Sequence, residues 1–467
     1  MSTKTTKKGF SMPTAYSVLL LITLTIVIIT QFIPSVVPAK FSDLIMAPIN
    51  GLNDAIDVSI FVLLIGGFLG VVTKTGALDA GIGSIVKKLN GKELILIPIL
   101  MFIFSLGGTS FGMAEETIAF YALITATMMA AGFDQLVAVG TIALGAGCGV
   151  LGSTVNPFLV STSIAALDSV GITVNQVVVI GLGIALWLTS LLISIFFVMK
   201  YAKKTKEDKK SSILSQEEID NAKKAYVGKR EELVEFTTKR KIVLGLFALS
   251  FVVMILGVIP WEKFGITIFK DTAFLTGSSL GNWWFSELSI WFVVMAVIIG
   301  LVYGLKEKEI VGTFIEGASE MVGVALVIGI SRGISIIMGS TGLDVYVLEG
   351  ASKALSSMSS ILFTNVAYVI YMGLAFLIPS TSGLASVSMP IFGPLSQNLG
   401  FSPELMVAIF SAGSGIVNLI TPTSGVIIGG LAIAKVEYST WVKFVFKILV
   451  CIFIASAIIL SLGMMFL

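Results

Sequence analysis

Of the 467 residues, 56% are hydrophobic and 12% are charged, and the mean hydropathy is +1.00. A soluble globular chain carries roughly 25% charged residues, so a water-covered fold of this length is excluded. The net charge of +2 excludes a strongly polyanion-binding protein, and with no basic patch interleaved with aromatics no nucleic-acid partner is expected. The chain has no histidine, which removes Ser–His and Cys–His catalysis and histidine metal sites together. Cys148 and Cys451 stand singly in apolar runs and form neither a disulfide framework nor a metal-ligand spacing. No cofactor is expected.

The charges are unevenly placed. More than a third of all charged side chains fall between Lys200 and Lys241, a segment that is less than a tenth of the chain. Three lysines, Lys4, Lys7 and Lys8, precede a first apolar run from Ala15 to Ile33. That run has about the length of a full span, and Pro34 to Pro38 gives no small-residue cleavage site. It reads as an uncleaved span with a cytoplasmic N-terminus. Apolar runs follow at 58–73, 94–106, 113–130, 135–151, 158–168 and 174–199. Beyond the charged segment they lie at 242–260, 287–305, 321–338, 360–378, 388–396, 404–419, 426–434 and 440–465.

Several runs are too short for a bilayer core of about 30 Å. The short ones come in pairs joined by small or hydroxyl residues: Gly107 to Gly112, Gly152 to Pro157, Ser380 to Gly383 and Thr421 to Gly425. Non-helical backbone at membrane depth is tolerated only inside protein or along a polar cavity. Four such breaks predict one shared cavity. For a single break, a Gly/Pro kink would be the simpler reading.

The breaks are symmetric because the chain repeats itself. Gly132-Phe133, Gly145-Ala146-Gly147 and Ser153 recur at Gly400-Phe401, Gly413-Ser414-Gly415 and Thr421, all at one constant offset. Gly51 and Gly317, each expected to open an amphipathic stretch before a span, lie at nearly the same offset. Thr75-Gly76-Ala77-Leu78-Asp79 resembles Thr341-Gly342-Leu343-Asp344. Residues 1–200 and 287–467 are therefore expected to be two copies of one unit. Residues 201–241 form a charged cytoplasmic linker with a short solvated helix, and 242–286 an extra span and an outer loop containing Trp261, Trp283 and Trp284. Lys87, Lys88, Lys92 and the linker mark the cytoplasmic side. With the extra span between them the copies are inverted. The expected fold is an all-α polytopic membrane protein with about nine transmembrane helices. Two are broken (135–168 and 404–434), and re-entrant hairpins stand at 94–130 and 360–396. Inverted repeats whose broken helices meet at mid-membrane are transporter architecture.

Three charges lie within the transmembrane part away from span ends. Glu115 and Glu116 stand just past the first hairpin tip, and Arg332 in the middle of 321–338. Such a charge costs at least about 2.5–3.5 kcal/mol and marks a functional candidate. Arg332 corresponds to Gly66 in the first copy, so the shared fold does not demand it. The plain alternative is an Arg332–glutamate pair that only holds the bundle together. The second candidate set is the hydroxyls and amides at the breaks. Thr109, Ser110, Ser153, Thr154 and Asn156 would line one side of the cavity. Ser380, Thr381, Ser382, Asn418, Thr421, Thr423 and Ser424 would line the other. Half-helix N-termini there can bind a carboxylate, and free carbonyls a cation. The tips at Thr109, Ser110, Ser380 and Ser382 could so hold Na+. Each hydroxyl taken singly could equally bond its own helix backbone.

Gly108-Thr109-Ser110-Phe111-Gly112 matches the hydrolase pattern G-x-S-x-G. An intramembrane serine hydrolase would need a base, and the Ser-x-x-Lys at Ser84 to Lys87 sits at the cytoplasmic edge. A non-enzyme is expected. Gly66-Gly67-Phe68-Leu69-Gly70 reads as close helix packing, and Asp79 and Asp344 as helix caps.

The motifs Gly66 to Gly70, Lys74 to Asp79, Gly107 to Thr109, Glu115-Glu116-Thr117, Asn156-Pro157-Phe158, Ile378 to Ala385 and Asn418 to Gly425 span nearly the whole chain outside the linker. In them the chain resembles the bacterial basic amino acid antiporters of YfcC type, which include arginine/ornithine exchangers. That family is similar to the four-carbon dicarboxylate anaerobic carriers and belongs with the ion-transporter superfamily. The resemblance implies an elevator-like substrate domain, a scaffold domain that dimerises, and a place in the bacterial cytoplasmic membrane. Ala114 stands where the exchangers would carry glycine.

Glu115, Glu116 and Arg332 sum to −1 when all are ionised, which suits a net-cationic amino acid better than a dicarboxylate. The expected function is exchange of basic amino acids. A glutamate would hold the cationic side chain, the hydroxyl-rich breaks the α-carboxylate and amine, and Arg332 would set the glutamate pKa or bind the carboxylate. The alternative is a Na+- or H+-coupled carrier of dicarboxylates or other small carboxylates. The expected partners are that small molecule, the lipid bilayer and a second copy.

Overall fold

The computed structural model describes residues 15–467 except 79, 82–83, 85–91, 115–116, 227–234, 259–260, 357 and 379. The expected signals at Lys4, Lys7, Lys8, Asp79, Lys87, Lys88, Glu115 and Glu116 lie outside the described residues. Every regular element described is helical. Ahead of the linker stand α1 (Ala15–Thr30), α2 (Phe41–Asp54), α3 (Ile56–Lys74), α4 (Leu96–Phe111), α5 (Ile118–Ala130), α6 (Gln135–Leu151), α7 (Thr162–Asp168) and α8 (Gln176–Glu207). The linker holds α9 (Gln216–Tyr226), and α10 (Thr238–Val258) follows. The remainder contributes α11 (Phe285–Tyr303), α12 (Glu307–Glu320), α13 (Val322–Thr341), α14 (Leu343–Leu355), α15 (Ser360–Leu377), α16 (Thr381–Asn398), α17 (Pro403–Asn418), α18 (Gly425–Ala434) and α19 (Tyr438–Phe466).

Among the described residues, seven helices are long and apolar enough to cross a membrane, and eight when α12 and α13, bent by 42°, count as one. The first arms of both expected hairpins, 93–110 and 360–377, are among them. Length and apolarity do not separate a re-entrant arm from a span, because a helix of 18 residues covers about 27 Å either way.

Two sets of contacts organise the bundle. In the first, α2 crosses α13 and α12 crosses α3. A Cβ on Gly51 would collide with the Gly329 carbonyl oxygen, and one on Gly317 with that of Gly66. Only glycine allows backbones so close. The two amphipathic helices α2 and α12 have the same bounds under the shift that relates Gly51 to Gly317. Each begins with the same device: Asp43 accepts the Lys40 N–H at 2.7 Å, and Glu309 the Lys306 N–H at 2.9 Å. The Ser59 hydroxyl donates to the carbonyl of Ala325, its own counterpart, at 3.3 Å.

In the second set, α6 crosses α17. A Cβ on Gly147 would collide with the Leu419 side chain, and one on Gly415 with the Leu151 backbone. The shift that relates Gly147 to Gly415 also relates Leu151 to Leu419, so each contact is the other seen from the opposite helix. Gly132 and Gly400, ahead of the two helices, both have positive φ, 88° and 77°.

The linker helix α9 is docked. Its charge pattern predicts a solvated helix, but Glu218 and Ala222 form a buried stripe one turn apart. Glu218 is 4% exposed. Its carboxylate accepts the Glu437 N–H at 2.8 Å and the Thr440 hydroxyl at 3.3 Å, so it caps the start of α19. The Gln135 side chain donates to the Glu218 carbonyl at 3.0 Å, and the Tyr226 hydroxyl to that of Ile433 at 2.6 Å.

Candidate functional site

The four breaks meet. Gly112 and Met113 at the first tip, Asn156 at the first break, Ser380 to Ser382 at the second tip, and Thr423 to Ile427 at the second break all line one cavity of about 300 Å3. That is the lower end of small-molecule sites.

The first half of the wall is built by polar groups that satisfy one another. α4 ends at Gly112 in a left-handed conformation (φ 82°), and the Gly112 and Met113 N–H groups donate to the carbonyls of Gly108 and Gly107. A Cβ on Gly112 would stand 2.6 Å from Asn156 Oδ1 and sit on a left-handed backbone, so any larger residue would have to displace the Asn156 amide. Thr109 stitches the two together. Its hydroxyl donates to the Gly152 carbonyl at 2.7 Å, and its carbonyl accepts the Thr154 N–H at 2.9 Å. The Thr154 hydroxyl donates to the same carbonyl at 3.1 Å. The Ser153 hydroxyl donates to Val150 O and accepts from Asn156 Nδ2. Asn156 Oδ1 accepts the Phe158 and Leu159 N–H groups and opens the π-helical turn 157–161.

The second half leaves more polar groups facing inward. The Ser380 hydroxyl caps α16 by accepting the Gly383 N–H, and the Ser424 hydroxyl caps α18 by accepting the Ile427 N–H. Two helix N-termini, each with its partial positive charge, thus reach the cavity wall. At the end of α17 the Leu419 and Ile420 carbonyls accept from Trp441 Nε1 and the Tyr438 hydroxyl. The Thr421 and Thr423 hydroxyls bond each other at 2.7 Å.

Of the residues picked from sequence, Asn156, Arg332, Ser380, Thr381, Ser382, Asn418, Thr423 and Ser424 line the cavity. Thr109, Ser153, Thr154 and Thr421 are buried beside it in the bonds described. The Ser110 hydroxyl bonds its own helix at Leu106 O, 2.6 Å away. Ser382 and Thr381 are thereby better placed to offer oxygen to a cation than the tip at Thr109 and Ser110.

Sequence reasoning missed Asp54 and Asp57. Both line the cavity, on either side of the Ala55 break between α2 and α3. Asp54 is the partner of Arg332: Arg332 Nε donates to Asp54 Oδ2 at 2.5 Å, with side chains 29% and 49% exposed. Asp57 has no hydrogen-bond or ion-pair partner among the described residues. The missed signal is an amphipathic stretch meeting an apolar run between two acids, which reads as an ordinary span end. Trp284 and Phe158, with ring centroids 4.7 Å apart, add an aromatic side to the wall.

Residues 40–465 match the C4-dicarboxylate anaerobic carrier (DcuC) family. The chain is 31% identical over 421 residues to an uncharacterized protein of Haemophilus influenzae, covering 90% of this chain and 77% of the relative. It is 27% identical over 417 residues to the Escherichia coli protein that carries the provisional name basic amino acid antiporter YfcC, covering 87% and 77%. Among solved structures it is similar to the YdaH transporter of Alcanivorax borkumensis (TM-score 0.48, 15% identity, covering 96% of this chain and 98% of that one). It is also similar to MtrF of Neisseria gonorrhoeae (TM-score 0.46, 16% identity, covering 97% and 96%). The chain is a multi-span membrane transporter of the C4-dicarboxylate anaerobic carrier family.

Proposed function

We propose that this protein exchanges basic amino acids, of the arginine/ornithine type, across the bacterial cytoplasmic membrane by alternating access. The observation that carries this reading is the charge of the cavity wall. Among the described lining residues, Asp54 and Asp57 stand against Arg332 alone. A net-cationic substrate neutralises that wall, whereas a dicarboxylate adds two negative charges to it. Glu115 and Glu116, just past the first tip, would add to the same sign. One of them receives the cationic side chain of the substrate. The α-carboxylate is met by Arg332 and the N-termini at Ser380 and Ser424.

In the same reading, 1–200 and 287–467 are inverted copies joined by the linker, and the tips and broken helices move as an elevator against a dimeric scaffold. The glycine contacts that exchange under the two shifts support the two copies. So does the placement of the two amphipathic breaks. The first shares the cavity with Trp284 of the expected outer loop. The second ends at Glu320, whose charge, after burial, helps push the Tyr226 phenol of the linker up to about 12. The N-terminus is cytoplasmic and the protein is a carrier, not an enzyme.

The test is counterflow in proteoliposomes without an ion gradient. Internal arginine or ornithine is expected to drive entry of labelled arginine. A second reading, Na+- or H+-coupled transport of dicarboxylates, is favoured by Arg332 in the wall and by the substrate in the family's description. Flux driven by succinate alone, or uptake that needs a cation gradient and no internal amino acid, would establish it instead.

A further inference from the structure

Arg332 and Asp54 raise a question that the charge count leaves open. An arginine in the middle of an apolar helix whose only purpose was to hold the bundle would be closed off with its partner. This pair instead sits in the cavity wall, with both side chains partly exposed and, among the described residues, Nε alone engaged. The Nη1 and Nη2 groups of Arg332 have no partner among the described residues. The pair also bridges two elements, the end of α2 and the middle of α13, so its opening breaks no helix.

We infer that Arg332 and Asp54 form a resident ion pair into which the α-amino acid head of the substrate inserts. The step rests on the amino acid reading given above. The substrate carboxylate takes the planar guanidinium in bidentate fashion, which Arg332 cannot offer Asp54 through Nε alone. The released Asp54 carboxylate takes the substrate ammonium, with Asp57 just across the Ala55 break. Neither member of the pair is left unpaired: one internal pair becomes two pairs with the substrate. A ligand with only a carboxylate strands Asp54, and a ligand with only an ammonium group strands Arg332. A stranded group has solvent alone as its partner and forfeits a charge-assisted hydrogen bond. The cavity therefore selects for a head with both charges, separately from what the side chain does.

The experiment is competition against labelled arginine entering arginine-loaded proteoliposomes, with three compounds that share the guanidinium tail. Arginine has both head charges, agmatine lacks the carboxylate, and 5-guanidinopentanoate lacks the amine. In the wild type, both deletions are expected to weaken competition at least about tenfold, the ratio set by one lost charged contact. Asp54→Asn is expected to shrink the gap between arginine and 5-guanidinopentanoate to within about threefold and leave the agmatine gap. Arg332→Gln is expected to do the reverse. The wild-type comparison stands even where a variant fails to fold. If agmatine or 5-guanidinopentanoate competes as well as arginine, insertion is overturned while the arginine reading survives. If arginine drives no flux and succinate does, the amino acid reading falls and insertion falls with it.

Discussion

The helix pairs α2–α3 and α12–α13 are built alike. They have matching starts and breaks, matching carboxylate caps at Lys40 and Lys306, and matching glycine crossings. They differ where the cavity lies. Asp54, Asp57 and Gly66 in the first correspond to Glu320, Gly323 and Arg332 in the second. Asp54, Asp57 and Arg332 line the cavity, and Glu320, Gly323 and Gly66 do not. Gly66 shows why: a Cβ there would collide with the Met321 side chain and stand 2.8 Å from the Gly317 carbonyl, so packing alone fixes it. What the two pairs share makes the bundle. What they do not share makes the site.

The largest effects are therefore expected where the pairs agree. Gly51→Val and Gly317→Val force a side chain into facing backbone that cannot turn aside, at a cost of about 3 kcal/mol or more each. Both should abolish a monodisperse peak in fluorescence-detected size-exclusion chromatography. Gly373→Ala, with no atom within 4 Å of the new Cβ, should leave the peak unchanged. Two normal peaks from the valine variants would mean that the crossings are looser than the contacts state. Next come the positions where the pairs differ. Asp57→Asn should raise the arginine KM in counterflow about tenfold, or about 1.4 kcal/mol, and leave the melting temperature close to wild type. Glu320→Gln, at the corresponding break away from the cavity, should change KM less than twofold. Equal losses from both would show that the acids serve the breaks and not the site.

The internal similarity was legible because glycines are the signature of close crossing. Gly147 and Gly415 could be paired from sequence alone, and they prove to hold the same contact from opposite sides. The four breaks were legible because hydroxyl and small residues interrupt apolar runs. Which hydroxyls face the cavity was not legible. Ser153 and Ser382 look alike in sequence, but Ser153 lies under Asn156 and Ser382 opens onto the void. That choice is made by tertiary packing. Arg332 stood out as a charge inside an apolar run, but its partner did not. Asp54 is far away in the chain and sits at a junction that sequence reads as a surface.

The smallest effect concerns the starts of α6 and α17. Asp134 precedes α6, and Ser402, its counterpart under the shift that pairs Gly147 with Gly415, precedes α17. Asp134 is covered by the linker side: it accepts hydrogen bonds from the Tyr201 and Ser212 hydroxyls at 2.8 and 2.7 Å, and from the Val137 N–H at 3.1 Å. Burial pushes its carboxyl above the ordinary 3.8, against these bonds, which pull it down. A carboxyl raised by folding favours the protonated form in the native state. Its stabilising contribution is complete below 3.8 and is lost as the pH climbs through the raised value. Acidification from neutral pH should thus raise the melting temperature of the wild type relative to Asp134→Asn, by about 1–2 °C for a chain this long. Asparagine keeps the helix cap and carries no proton to titrate. A wild-type midpoint that falls against the variant on acidification would mean that the hydrogen bonds from Tyr201 and Ser212 outweigh burial. The linker would then hold Asp134 as a charged cap, and the two helix starts would differ in charge as well as in cover.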